Sequence, residues 1–135
     1  SLLMTIHWNK TSKYKHNKYI FLDIKFDSLK ECRRYSELRL LEQAGKIKDL
    51  ELQKPYELIP AQYEESTETY TKGIHKGEHK TKLLERAVVY RADFVYFDCA
   101  TGKRVIEDTK GFRTPEYILK RKLLLWRYGL KIKEI

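Results

Sequence analysis

Residues 83–110 read LLERAVVYRADFVYFDCATGKRVIEDTK, and this stretch decides the fold that the sequence predicts. Residues 83–97 are rich in aromatic and β-branched side chains, which favours a long strand. Residues 104–110 favour a second strand, and the segment DCATG at residues 98–102 is typical of a turn between the two. We therefore predict an antiparallel β-hairpin.

Alternation along the second strand sorts its polar side chains onto two faces. Residues two apart share a face, so Asp108 and Lys110 point the same way, about 7 Å apart. Glu107 and Thr109 are expected to point to the opposite face. One face of this strand therefore carries a carboxylate with a lysine beside it.

The register of the hairpin decides which acid faces Asp93 on the first strand. If the loop comprises residues 99–102, Asp93 lies opposite Asp108, with Cβ atoms about 5 Å apart, close enough to share a cation. If Asp98 also belongs to the loop, Asp93 faces Glu107 instead, because a one-residue slip exchanges the faces. We favour the four-residue loop, because it alone keeps the lysine on the same side as the two aspartates.

The segment upstream of the hairpin predicts a helix between extended stretches. Ser28 with Glu31 three residues later is a capping-box pattern that opens the helix, and Gly45 is a natural end. Residues 19–26 read as extended and residues 47–52 as a strand. Residues 63–70 favour a further strand, and residues 73–79 a polar loop.

The segment downstream predicts a second helix and a last strand. Thr114 is a helix cap and Pro115 suits the first helical position, while Gly129 ends the helix. Residues 130–135 read as a final strand. The order of elements predicts an α/β or α+β domain, with one mixed sheet flanked by helices, over residues 18–135. Residues 1–17 are polar and basic and are expected to form a flexible arm.

Composition favours a polyanionic partner. The chain has 135 residues, with 28 Lys and Arg against 19 Asp and Glu, a formal charge of +9. Such a surplus attracts nucleic acid through counterion release. No apolar run is long enough to cross a membrane, and no secretory signal is visible. The distant Cys32 and Cys99 predict no disulfide framework, so we expect a cytoplasmic protein.

The hairpin acids fit the chemistry of phosphodiester cleavage. That reaction needs a divalent cation, which carboxylate oxygens hold while leaving positions for water and substrate. A nearby lysine such as Lys110 can orient the attacking water and stabilise charge in the transition state. Two structural alternatives stay open: an edge hairpin with exposed charges, and an ordinary salt bridge between Lys110 and Asp93 or Asp108.

The pattern of Asp93 and then Asp108-Thr109-Lys110 resembles the PD-(D/E)XK motif of restriction-type nucleases and junction resolvases. The wider sequence is similar to a small phage-encoded, endonuclease-like family of formerly unknown function within that superfamily. Ala92 stands where the motif has a proline, at a position that varies widely. The matching segments cover nearly the whole chain from Lys13 onward: residues 26–31, Gln53, residues 90–94, residues 107–111, Thr114 and residues 120–122.

The resemblance implies a restriction-endonuclease-like core with the element order αβββαβ. It also implies a Mg²⁺ or Mn²⁺ ion bound by Asp93 and Asp108, with the backbone carbonyl of Thr109 as a further ligand. Lys110 would be the catalytic lysine. A phage-encoded protein would act in the cytoplasm of its host cell, and enzymes of this type often pair, so a homodimer is a further expectation.

Two polar residues have alternative roles. Glu31 is either a further metal ligand, as in related nucleases, or only the partner of Ser28 in the capping box. The inward line that it shares with Tyr35 and Leu38 on the helix favours the metal site. Gln53 either hydrogen-bonds the metal-bound water or the phosphate, or is an ordinary polar strand residue. Glu107 is a candidate supporting acid.

Four basic residues are candidate contacts with the DNA backbone: Lys76, Lys80, Arg113 and Lys120. Solvated surface positions are the alternative for the lysines. The sequence as a whole predicts a metal-dependent endonuclease that hydrolyses duplex or branched DNA. The alternatives are a nucleic-acid-binding module without catalysis, which gives the acids no role, and an RNA nuclease that uses the same site.

Overall fold

The computed structural model describes residues 7–11, 16–110 and 112–135, with side chains from residue 18 onward. Two helices and nine strands lie within these ranges. In chain order they are β1 (His7–Thr11), β2 (His16–Phe21), β3 (Ile24–Phe26), α1 (Leu29–Gln43), β4 (Ile47–Ile59), β5 (Gln62–Thr69), β6 (His79–Glu85), β7 (Val88–Asp98), β8 (Lys103–Asp108), α2 (Pro115–Tyr128) and β9 (Ile132–Glu134).

The central sheet has the strand order β4–β7–β8–β9. β7 pairs antiparallel with both β4 and β8, whereas β9 runs parallel to β8, so the sheet is mixed. A parallel partner needs a crossover connection, and α2 provides it between β8 and β9. The predicted class, a mixed sheet combined with helices, is therefore confirmed. The prediction of one sheet is wrong, because β1–β2–β3 and β5–β6 form two further sheets.

The hairpin of β7 and β8 has the register that the sequence analysis favours. Asp98 pairs with Lys103 and Phe94 with Glu107, so the loop comprises residues 99–102. Gly102 closes the turn with a positive φ of 69°, and its N–H donates to the carbonyl of Asp98 at 2.8 Å. The next pair in this register sets Asp93 opposite the residue that follows Glu107.

Two hydrophobic clusters form the core, one around each helix. Tyr35 and Leu38 of α1 pack with Phe94 and Tyr96 of β7. The other cluster contains Tyr117 and Leu124 of α2, together with Tyr90, Ala92, Val95 and Ile106. The strand β7 thus contributes to both clusters, and Asp93 lies between its two buried segments.

The capping signals of both helices appear in the structure. The hydroxyl of Ser28 accepts a hydrogen bond from the N–H of Glu31, and that of Thr114 accepts from the N–H of Tyr117, each at 3.1 Å. Gly129 ends α2 in the left-handed conformation. Neither helix of the described residues combines the length and apolar character that a membrane crossing requires.

Several strand boundaries differ from the prediction. β4 continues through Pro55 to Ile59, because β4 is an edge strand, where a proline can leave its missing donor on the open side. The predicted strand at residues 83–97 is divided at residues 86–87 into β6 and β7. β6 pairs with β5 in a separate two-stranded ribbon. β8 ends at Asp108, two residues before the predicted end.

The predicted flexible arm at residues 1–17 is described only in part. Residues 1–6 and 12–15 of it lie outside the described residues. His7–Thr11 forms β1 and pairs antiparallel with β2, which begins at His16 and in turn pairs with β3. Part of this polar stretch therefore forms a regular strand through backbone pairing, although its composition offers few core candidates.

Candidate active site

Asp93 is half-buried near the middle of β7 and is fixed by Thr109. Its Oδ2 atom accepts hydrogen bonds from the backbone N–H and from the hydroxyl of Thr109, each at 2.8 Å. The prediction that the Thr109 side chain points to the opposite face is wrong. Because β8 ends at Asp108, strand alternation stops there and the threonine turns toward Asp93.

Asp108 is the last residue of β8, and its side chain is buried, with 1% of its surface exposed. Its Oδ2 atom accepts a hydrogen bond from the hydroxyl of Tyr90 at 2.7 Å. Its Oδ1 atom makes no hydrogen bond to any described residue. The Lys110 ammonium lies 3.8 Å from this atom, within ion-pair range but too far for a hydrogen bond. Asp108 therefore has a buried oxygen that is free to bind a cation.

The surroundings of Asp108 disfavour its negative charge. Burial is the main cause that raises its pKa above the ordinary value, and the carboxylate of Asp93 raises it further. The hydrogen bond from Tyr90 and the charge of Lys110 act in the opposite direction. A buried carboxylate beside another carboxylate gains from a positive ion placed between them.

Glu31, in the first turn of α1, brings a third carboxylate to the same place. The Oε1 atom of Glu31 accepts a hydrogen bond from the amide of Gln53 at 3.1 Å. Burial, with the charges of Asp93 and Asp27, raises the pKa of Glu31 to about 7. The backbone N–H of Glu31 binds the Ser28 cap, whereas its side chain binds Gln53 beside the other acids instead of closing the capping box.

Gln53 links Glu31 to Asp93. Its Nε2 atom donates to Asp93 Oδ1 at 3.2 Å as well as to Glu31. Gln53 falls opposite Asp93 in the register of β4 and β7, and its φ is positive at 52°. A residue other than glycine adopts this conformation at a cost of about 1 kcal/mol or more. Gln53 thus has a strained backbone at the position where its side chain hydrogen-bonds two acids. An ordinary polar strand residue would not form these two bonds.

The ammonium of Lys110 lies above the ring of Tyr117, 5.1 Å from the ring centroid. Together with its distance to Asp108, this contact holds the lysine at the edge of the acid cluster, by which we mean Glu31, Asp93 and Asp108. The predicted catalytic residues are therefore brought together in the fold, although they come from one helix, one strand, the end of a second strand and the segment that follows it.

Glu107 does not join the acid cluster. It is fully buried on the other side of β8, where Arg34 donates to both of its oxygens at 2.8 and 2.7 Å. The hydroxyl of Tyr96 donates to it as well. The candidate supporting role of Glu107 has no counterpart in this geometry, because both its oxygens are already bound.

The predicted DNA contacts lie in three places. Lys76 is exposed in the loop between β5 and β6, and Lys80 lies in β6 over the ring of Tyr70. Arg113 forms an ion pair with Glu134. Lys120 lies on α2, and its ammonium is 3.1 Å from Glu116. Lys120 shares a cavity with Lys110, which lies beside the acid cluster.

Sequence reasoning missed three partners of the two buried acids of β8. Tyr90 binds Asp108, whereas Arg34 and Tyr96 bind Glu107. The sequence places Tyr90 in a predicted strand and in one of the segments that match the nuclease-like family, and it places Arg34 in a predicted helix, but it gives a partner for neither. These contacts join residues up to 73 positions apart, so local patterns give no signal for them.

Asp93 and Asp108 could supply oxygen ligands to a metal ion. Among the described residues, no group of three or more His, Cys, Asp or Glu side chains is arranged to hold a metal ion. The chemistry of the donors nevertheless suits a hard divalent cation that keeps several waters. The buried Asp108 Oδ1 atom, without a hydrogen bond in the described part of the chain, is the feature that fits such an ion.

Residues 11–134 match the protein family described as "Protein of unknown function (DUF1064)", so the chain belongs to the DUF1064 family. The matched range includes the whole acid cluster and Lys110. No curated protein and no solved structure matches the chain significantly. The family description assigns no activity, so the function has to be inferred from the site.

Proposed function

We propose that this member of the DUF1064 family is a metal-dependent endonuclease that hydrolyses phosphodiester bonds of DNA, with a site of the PD-(D/E)XK type. The observation that carries the proposal is Asp108, whose buried Oδ1 atom has no hydrogen bond within the described residues. Asp93 lies opposite, and Lys110 lies beside it. Facing carboxylates repel each other unless a cation lies between them, and a purely structural role leaves that arrangement unexplained.

Mg²⁺ or Mn²⁺ is the cation that suits these donors. Asp93 and Asp108 would hold it, with the carbonyl of Thr109 as a further ligand and Glu31 in support. Hard divalent cations prefer oxygen ligands and retain water where the protein supplies few. Such an ion would supply Lewis-acid chemistry that polarises the phosphate and activates a water molecule.

Lys110 is the residue that we assign to the transition state. Its ammonium is held between the carboxylate of Asp108 and the ring of Tyr117. A cation in this position orients the attacking water and stabilises the negative charge that develops on the phosphate. Tyr90 and Thr109 keep the two aspartates in place through their hydrogen bonds.

The order of elements supports a restriction-endonuclease-like core. α1, β4, β7, β8, α2 and β9 follow one another as helix, three strands, helix and strand, with the ribbon of β5 and β6 inserted between β4 and β7. This is the αβββαβ order that the sequence resemblance implies. The acids lie on β7 and at the end of β8, where that resemblance expects them.

Charge supports nucleic acid as the substrate. The formal charge of +9 favours binding to a phosphate backbone. Lys76 adds a positive charge on the loop between β5 and β6, where its side chain is exposed. Arg113 is engaged by Glu134, so it would contribute to binding only through exchange of that ion pair.

The proposal is tested by cleavage of supercoiled plasmid in Mg²⁺, Mn²⁺ or EDTA, with the intact chain and the Asp108→Ala variant. We expect metal-dependent relaxation that is lost in the variant while DNA binding remains. The matched control is Glu107→Gln, which changes the neighbouring buried acid and should keep the activity. Cleavage at a near-normal rate by Asp108→Ala would overturn the assignment of the site.

Branched DNA and RNA belong in the same assay, because they separate the rival functions. Preferential cleavage of RNA, lost in Asp108→Ala, would make the protein an RNA nuclease with the same site. Tight binding without cleavage of any substrate, insensitive to metal and to the loss of Asp108, would identify a nucleic-acid-binding module without catalysis.

A further inference from the structure

A cavity of about 350 Å³ opens beside the acid cluster, between β7 and the start of α2. Six residues define its chemistry: Tyr90, Arg91, Lys110, Glu116, Tyr117 and Lys120. Its volume is near the lower end of the range for pockets that bind small ligands, about 300 Å³. Space of this size admits a single phosphate group with part of its sugar.

The cavity is connected to the acid cluster through shared residues. Tyr90 lines the cavity and donates its hydroxyl hydrogen bond to Asp108. Lys110 also lines it, and its ammonium is 3.8 Å from Asp108. A nucleic-acid strand with one phosphate at the acid cluster would therefore bring an adjacent phosphate toward this cavity.

Three cations against one acid make the cavity favourable for an anion. Arg91 is exposed and forms no ion pair with another described residue, so its guanidinium is available to a phosphate. Lys120 is paired with Glu116, one helical turn earlier, at 3.1 Å. Because Glu116 is largely exposed, this pair is worth less than about 1 kcal/mol, and a phosphate can displace it.

The start of α2 contributes little to anion binding, so the side chains must provide it. The hydroxyl of Thr114 already accepts the N–H of Tyr117. Pro115 has no N–H to offer. Arg91 and Lys120 are therefore the residues that would hold an anion, with Lys110 on the side of the acid cluster.

The aromatic residues of the cavity offer no surface for stacking a base. Tyr90 and Tyr117 are both buried, and their ring centroids are 6.4 Å apart. Recognition of an unpaired base generally requires an exposed aromatic face. The cavity is accordingly suited to the backbone of the nucleic acid rather than to its bases.

We propose that this cavity binds the backbone phosphate next to the one that is cleaved, through Arg91 and Lys120, independently of sequence. The identity of the neighbouring phosphate rests on the proposed function, whereas phosphate binding by the cavity does not. Contacts of this kind fix the position of a strand without reading its sequence. The cavity thereby gives the acid cluster a means to align the scissile bond.

The first test measures DNA binding by the full chain in EDTA, where no cleavage can occur, over a range of salt concentrations. Each lost phosphate contact should lower the slope of log affinity against log salt by about 0.9. We expect this change in Arg91→Gln and in Lys120→Gln, for every DNA sequence. Lys122→Gln, an exposed position on the same helix outside the cavity, is the charge-matched control and should lose less.

Glu116→Gln should change the DNA affinity in the opposite direction. It removes the competing acid of the cavity and should tighten binding by a few-fold at low salt. Slopes of Arg91→Gln and Lys120→Gln equal to that of Lys122→Gln would overturn the proposal, as would a chain that does not bind DNA. If binding depends on the cavity but no substrate is cleaved, the proposed nuclease function fails while the phosphate site stands.

The second test uses oligonucleotides with one neutral methylphosphonate near the cleavage position. The intact chain should cleave about tenfold more slowly when the neighbouring phosphate is neutral. The double variant Arg91→Gln/Lys120→Gln should be slow on both substrates and insensitive to the replacement. Equal sensitivity of the intact chain and the double variant would contradict the proposed contact while leaving the nuclease assignment intact.

Discussion

Glu107 and Asp108 are consecutive buried acids of β8, with 0% and 1% of their surfaces exposed, yet their environments differ in kind. Glu107 is bound by the guanidinium of Arg34 through both oxygens and by the hydroxyl of Tyr96. The Asp108 carboxylate receives one hydrogen bond, from Tyr90. Its other oxygen has none within the described residues and lies 3.8 Å from the Lys110 ammonium. On its side of the sheet lie further carboxylates instead of a guanidinium.

This difference assigns a structural role to Glu107 and a functional role to its neighbour Asp108. Burial of a charge is tolerated when hydrogen bonds and a counter-charge compensate it, and this is the state of Glu107. Asp108 is incompletely compensated, which costs stability unless a cation binds. An acid kept in that state is therefore a functional candidate, whereas the charge of its neighbour is explained by the fold.

The largest expected contrast is in catalysis. Asp108→Asn preserves shape but removes the charge, and we expect cleavage to fall by at least about 10³-fold, equivalent to about 4 kcal/mol of transition-state stabilisation. Glu107→Gln should stay within about threefold of the intact chain, provided it is assayed where it is folded. Initial rates on plasmid in Mg²⁺ measure both, and circular dichroism checks the fold. Equal losses in the two variants would remove the distinction between the two acids.

The same pair should reverse its order in stability. Glu107→Ala removes the buried partner of Arg34, whose guanidinium then keeps only its ion pair with the exposed Glu37. Removal of one partner of a buried pair costs about 3–5 kcal/mol. Asp108→Ala should cost clearly less in EDTA, because it also removes the repulsion from Asp93. Urea unfolding in EDTA measures both free energies.

A second substitution tests the origin of that loss. The double variant Arg34→Met/Glu107→Leu replaces the ion pair by apolar side chains and should recover most of the stability that Glu107→Ala loses. If Asp108→Ala proves the more destabilising of the two single variants, then Asp108 is a structural acid and the comparison fails.

The sequence leaves two registers open for the hairpin, and the observed one is favoured because it keeps Lys110 on the side of the two aspartates. That register places Asp93 opposite Asp108, whereas the position of Lys110 does not follow from it, because β8 ends two residues earlier. The partners that distinguish Glu107 from Asp108 are not predictable in this way. Arg34 is 73 positions from Glu107 in the chain, and its contact depends on how α1 packs on the sheet.

Irregular backbone sets a second limit to prediction. Gln53 bridges two acids from a positive φ, and Thr109 turns toward Asp93 because β8 has ended. Alternation rules assume regular strands, so they place the Thr109 side chain on the wrong face. The predicted strand at residues 47–52 is also too short, because β4 is an edge strand that accommodates Pro55 and continues to Ile59.

The third prediction concerns pH, because the acids that repel one another lie on the same side of the sheet as Asp108. Glu31 has a pKa of about 7 in the folded protein against an ordinary 4.5. The folded state therefore holds a proton in this window that the unfolded state has released, so stability without metal should fall as pH rises from about 4.5 to 7. Because Glu31 is partly exposed, we expect a fall of about 1–2 kcal/mol.

Urea unfolding in EDTA between pH 5 and pH 8 measures this dependence. Glu31→Gln should flatten the curve over the window, whereas Glu65→Gln, an exposed acid of β5, should follow the intact chain. If the curves of Glu31→Gln and the intact chain stay parallel across the window, then ionisation of Glu31 does not destabilise the folded state.

The smallest expected effects come from the two tyrosines whose hydroxyls donate hydrogen bonds to the two acids. Tyr96→Phe removes one hydrogen bond from Glu107, which keeps both bonds from Arg34, so stability should fall by about 1 kcal/mol with no effect on cleavage. Tyr90→Phe should cost a similar amount of stability but also weaken metal binding, because the hydroxyl orients Asp108. Loss of such a partner typically lowers metal affinity by about tenfold. Titration of cleavage with Mn²⁺ measures this shift, and half-saturation at the same concentration in both variants would mean that Tyr90 supports the fold alone.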